Sequence, residues 1–146
     1  MTKKELLTAI KAALVARNWT GSSNVVFPSG SVVVSKAIAK SALASMTVPI
    51  AQIIPGGGKI DPQHDEDTNL LNFPLTVRLI TIAPGDAVGE NPLMGANRAD
   101  STLSEGAGLY DLEQELYNAI GMLNVQDGVT IQFRNQGDSG AEYVDD

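Results

Sequence analysis

Phe73-Pro74-Leu75-Thr76-Val77-Arg78-Leu79-Ile80-Thr81-Ile82 is the stretch on which the fold turns. Leu75, Val77 and Leu79 alternate with Thr76 and Arg78, the period-two pattern of a strand with one face on a core. Ile80 and Ile82 then replace polar residues on the second face, so the end of the strand is expected to be covered on both sides. Further on, Leu109, Leu112, Leu116, Ile120 and Leu123 recur at the spacing of an amphipathic helix over residues 109–123. Asp111 and Glu113 fall in its first turns, where the helix dipole favours an anion by about 0.3–1 kcal/mol each. A strand period and a helix period in one chain of 146 residues argue for a single α+β domain over residues 1–146.

Working outward, Thr2-Lys3-Lys4-Glu5 has the form of a capping box that opens a helix carrying Leu6, Leu7, Ile10 and Leu14 on one face. That helix is expected to end near Asn18. Asn24 to Phe27 reads as a short strand. Val32-Val33-Val34 favours strand, but the run after it favours helix, and a helix is expected from about Ser35 as N-cap. Val48 to Ile54 reads as a strand, with Pro49 at its start or on an edge. Pro55-Gly56-Gly57-Gly58 breaks it. Asp61 to Asn69 reads as a polar acidic loop. Residues 83–108 hold five glycines, Pro84 and Pro92 without sustained periodicity, an unusually long loop for a compact domain. Val88, Leu93, Met94 and Leu103 give this loop apolar anchors, so it is expected to pack on something, a neighbouring subunit included. Val129 to Phe133 is a strand, and residues 134–146 form a turn and a hairpin partner. The expected class is α+β: a mixed, largely antiparallel sheet flanked by helices, with a long loop before the last helix.

Composition narrows the function. There is no cysteine, which excludes disulfides and thiolate metal sites and permits a cytosolic origin. No apolar run approaches the roughly 20 residues of a membrane span, and no signal peptide is read at the N-terminus. The net charge of −7 speaks against a nucleic-acid binder, whose affinity comes from clustered Lys and Arg. Its distribution is uneven. Residues 1–60 hold seven Lys/Arg and one acid, a formal +6; residues 61–146 hold three Lys/Arg and sixteen acids, a formal −13. Such a split is neutralised either within the chain or by the acidic face of a neighbouring copy, and a head-to-tail contact of the second kind closes into rings.

Candidate chemistry fails at named residues. His64, the only histidine, lies in Asp61-Pro62-Gln63-His64-Asp65-Glu66-Asp67 with no nucleophile motif beside it. Read as a calcium loop, that segment has Glu66 where Gly belongs and Asn72 where Glu belongs. Gly56-Gly57-Gly58-Lys59 departs from a phosphate loop, with Ile53 in place of the first Gly and Ile60 after the Lys. Glu113 and Glu115 are two apart and do not share a helical face. Tyr110 and Tyr117, seven apart, read as packing residues. The expectation is a protein without catalytic, cofactor-binding or metal-binding residues: no enzyme and no cofactor.

Four stretches in order carry a resemblance: Ile54-Pro55-Gly56-Gly57-Gly58 with Asp61-Pro62; Phe73 to Leu79; Gly89-Glu90-Asn91-Pro92-Leu93-Met94-Gly95; and Gly106-Ala107-Gly108-Leu109-Tyr110-Asp111-Leu112-Glu113-Gln114-Glu115-Leu116. Their order and spacing, across most of residues 1–133, resemble the tail-terminator (tail completion, neck) proteins of tailed bacteriophages. The resemblance implies a structural virion protein, assembled in the host bacterial cytoplasm. It implies a homo-oligomeric, typically hexameric, ring on the tail tube protein that ends tube growth and offers a docking surface to the head connector or stopper protein. Genomic DNA would pass through the lumen without sequence-specific binding, and no membrane is involved. On this reading Val88, Glu90, Leu93, Met94, Arg98 and Leu103 of the long loop are the candidate subunit or tube interface. Lys3, Lys4, Lys11, Lys36 and Lys40 are the candidate complement of Asp65, Glu66 and Asp67. The alternatives are another neck component, a head–tail adaptor or stopper, or a small-ligand-binding or enzymatic α+β domain with its site under loop 83–108.

Overall fold

The computed structural model describes residues 3–56, 61–65, 68–72, 74–81, 90–95, 107–126 and 129–132, with backbone only at 61–65, 68–72, 122, 124–126 and 129–132. It is an α+β fold. The elements run α1 (Lys3–Ala16), β1 (Val32–Val34), α2 (Lys40–Ser45), β2 (Ile50–Pro55), β3 (Asp61–Asp65), β4 (Thr68–Asn72), β5 (Leu75–Ile80), α3 (Asn91–Met94), α4 (Leu109–Ile120), β6 (Met122–Gln126) and β7 (Val129–Gln132).

The central sheet has the order β1-β2-β5, with β1 parallel and β5 antiparallel to β2. β2 is therefore the middle strand; Pro49, which has no N–H to give a ladder, stands just before it rather than within it. Ile50, Ala51, Gln52 and Ile53 are all buried, as expected of a strand covered on both faces. The buried Gln52 amide donates to Ser35 O at 3.1 Å, which satisfies one of its polar groups. In β5, Leu75, Val77 and Leu79 are half-buried and packed on the core, Thr76 and Arg78 are exposed, and Ile80 is half-buried. The alternation and its loss at Ile80 follow the sequence pattern. The core is built where α1 and α4 meet the sheet: Ile10 and Leu14 from α1, Trp19, Val26 and Phe27 from the segment after it, Ala51 and Ile53 from β2, and Leu112, Leu116 and Ile120 from α4.

Several local expectations are corrected. Asn24–Phe27 is not a strand; Val25 makes only an isolated antiparallel bridge with Asn18, because the chain doubles back through a turn in which Gly21 takes φ +76. Ser35 does not cap a helix. Its hydroxyl bonds to Ala37 N and Ala37 O in a local turn, Val32–Val34 joins β2 as a strand, and the short α2 starts only at Lys40. The presumed acidic loop at Asp61–Asn69 is a hairpin, with His64 opposite Asn69 and Asp65 opposite Thr68. Backbone ladder bonds need no apolar side chains, so a polar composition hid it. Helix α4 stops at Ile120, and Leu123 reaches the core from strand β6 instead. β7 pairs with β6; the expected hairpin partner within 134–146 lies outside the described residues, as do Thr2 of the capping box and Gly57 to Ile60 of the glycine turn.

Candidate functional site

Loop 83–108 is the feature to which the sequence assigns a role, and its described part has its own structure. Asn91–Met94 forms the single turn α3, with Pro92 in its first turn, where its missing N–H costs no hydrogen bond. This turn is seated on the start of α4. Gly108 is buried against the backbone of Leu93 and Gly95 so closely that a Cβ there would collide with Leu93 O and Gly95 N. Below it, Thr81 Oγ1 donates to Ala107 O at 3.4 Å, tying the return of the loop to the end of β5. What the loop packs on, in its described part, is therefore its own helix α4. Leu93 is half-buried in that seat, while Glu90 and Met94 are exposed. Met94 of α3 and Tyr110 of α4 are exposed, at 51% and 54%, on the two elements that meet here, a region we call the shoulder. Val88, Arg98 and Leu103 lie outside the described residues.

The start of α4 is held by one carboxylate. Gly108 N–H donates to Asp111 Oδ2 at 3.1 Å, and the charge sits where the helix dipole favours it. Gly108 has no side chain to return the bond. Asp111→Ala is expected to lower stability by about 1 kcal/mol, read as a fall in the thermal midpoint.

Further along α4, Arg17 and Thr20, which follow α1, clamp it through Glu115. Arg17 Nε donates to Glu115 Oε2 at 2.7 Å, and Thr20 donates to Glu115 Oε1 from its hydroxyl at 2.7 Å and its N–H at 3.3 Å. Burial pushes the Glu115 carboxyl up. The Thr20 hydroxyl, the Arg17 guanidinium and the Thr20 N–H outweigh that effect and hold it below the usual carboxylate range. Three donors already occupy its oxygens, so the group is a structural clamp and not a free acid or base. No local pattern pairs Glu115 with Arg17; the one signal in the sequence is an acid between Leu112 and Leu116 on the apolar face. Beside the clamp lies a shallow cleft of about 550 Å³, lined by Ala13, Arg17, Trp19, Thr20, Asn118 and Ala119 among others. Trp19 is buried beneath it, and its Nε1–H has no acceptor among the described residues.

The candidate charged residues divide. Lys3, Lys4 and Lys11 on α1, Lys36 in the turn after β1, and Lys40 at the start of α2 are all exposed. Lys4, Lys11, Lys36 and Lys40 form no ion pair among the described residues. Asp65 ends strand β3, with its backbone alone described, and Glu66 and Asp67 lie outside the described residues. Among the described residues, no three His, Asp or Glu side chains gather as a metal site, and no helix is long and apolar enough to cross a membrane. No protein family, curated protein or solved structure matches this chain.

Proposed function

We propose that this chain is a structural virion protein: a subunit of a ring that caps a phage tail tube, ends its growth and receives the head connector, and not an enzyme. The observation that carries this reading is the shoulder at α3 and α4. A loop that merely connected two elements would have no reason to fold a turn, seat it on Gly108 and leave Met94 and Tyr110 facing water. Exposed apolar groups carried on two elements that pack together suit a partner surface. The +6/−13 division of charge along the chain supports the same reading, since it lets the basic part of one copy attract the acidic part of the next.

Molar mass from light scattering, measured alone and with purified tail tubes, tests it. The expected result is a discrete ring, formed alone or on the tube end, and tubes that no longer elongate. A strict monomer that leaves tubes growing would overturn the proposal. A head–tail adaptor would instead bind the connector and ignore the tube, so the same experiment with the connector in place of tubes separates the two.

A further inference from the structure

Two helical stripes, one basic on α1 and one acidic on α4, carry complementary character. On α1, Lys4, Thr8, Lys11 and Val15 follow one another at spacings of four, three and four, and all four are exposed. Val15, at 49% exposure, makes this stripe part apolar; Lys4 and Lys11 make it basic. On α4, Tyr110 and Gln114 are exposed and Glu113, half-buried, lies on the same side of the helix, while exposed Met94 belongs to α3, which packs on α4. That stripe is part apolar and acidic.

Within the chain, α1 and α4 already meet through Arg17 and Glu115. Glu115 is turned inward, and Glu113, two residues earlier, lies on the other side of the helix. The internal contact therefore uses neither Glu113 nor Lys4 and Lys11. The polarity of the stripes follows that of the whole chain, since α1 belongs to the positive part and α4 to the negative part.

We propose that the α1 stripe of one copy docks on the α4 stripe of the next. Val15 meets the Tyr110–Met94 shoulder, and Lys4 and Lys11 flank Glu113. The occupant is a second copy of this chain because one surface carries the charge and apolar pattern that the other lacks. The two patches differ, so each copy uses one with each of two neighbours, and the contact repeats head to tail until it closes. This pairing rests on the ring reading above for its need of associating copies, and adds to it which faces meet.

A charge-swap experiment tests it. One chain carries Lys4→Glu and Lys11→Glu; another carries Glu113→Lys. All three positions lie outside the core, so both chains are expected to fold, with circular dichroism as the check. Each variant alone is expected to assemble roughly tenfold or more weakly than wild type, because like charges then face one another. An equimolar mixture restores assembly, since the reversed α1 matches the reversed α4 and the unaltered faces match each other. Normal assembly of either variant, or a mixture no better than its parts, would overturn the pairing; if wild type still capped tubes, the ring reading would survive. A wild type that neither assembles nor caps tubes would overturn both.

Discussion

Replacing Gly108 by Val is expected to unseat α3 and to destabilise the fold by about 3 kcal/mol or more. The reason is steric. Gly108 has an ordinary φ of −86, so a side chain there meets no conformational penalty. What it meets is backbone: Leu93 O, Leu93 C at 2.6 Å and Gly95 N. Backbone atoms cannot rotate aside as the end of a side chain can, so the α3 turn must lift as a unit. Ala107, fully buried, and Leu93, half-buried, would lose their cover with it. Urea unfolding measures the loss. Gly21→Ala is the control, because Gly21 has open space around it but φ +76. Its cost is conformational, about 1 kcal/mol. If Gly108→Val unfolded at the wild-type midpoint, α3 would not be seated on α4. If the shoulder is the partner surface, this variant also fails to assemble at temperatures where it remains folded.

The expectation that α4 ran to Leu123 and the expectation of a helix from Ser35 failed for the same reason. Each rested on spacing or on a single residue's preference where tertiary pairing decided. Leu123 continues the helical stripe arithmetically, yet it points at the same core from a strand, so burial alone did not distinguish the two. Val32–Val34 becomes a strand because Ala51 to Ile53 lies beside it in parallel, a partner no local pattern announces. Where one element's own periodicity sufficed, as in α1, β5 and most of α4, the reading matched. The hairpin Asp61–Asn72 was hidden because its ladder is backbone to backbone. The Arg17–Glu115 clamp was hidden by distance, since its partners are 98 residues apart. Leu93 was legible as an anchor and is half-buried, whereas Met94 stays exposed; that the backbone of Leu93 and Gly95 lies against Gly108 of the same chain was not legible.

Arg17→Ala is expected to cost about 2–3 kcal/mol near pH 7, somewhat less than breaking a fully buried pair. Glu115 would stay buried with only Thr20 to donate to it, but the Arg17 side chain is 27% exposed, so water already shares its charge. Acid should narrow the gap between the variant and wild type. In wild type the Glu115 carboxyl is held below its ordinary value. Its ionisation therefore stabilises the fold fully above about pH 4.3, the value in an unfolded chain, and that contribution disappears as pH falls through the lower folded value. In Arg17→Ala the attraction is gone while the burial that pushes the carboxyl up remains, so protonation costs the variant little or relieves it. Urea unfolding of both chains at pH 7 and near pH 3 tests the sign. A gap of equal size at the two pH values would mean that Arg17 acts by packing its aliphatic stem rather than by its charge. Glu115→Gln separates the parts again. It keeps an acceptor for Thr20 and removes the charge, so it should be milder than Arg17→Ala at pH 7 and less sensitive to acid than wild type.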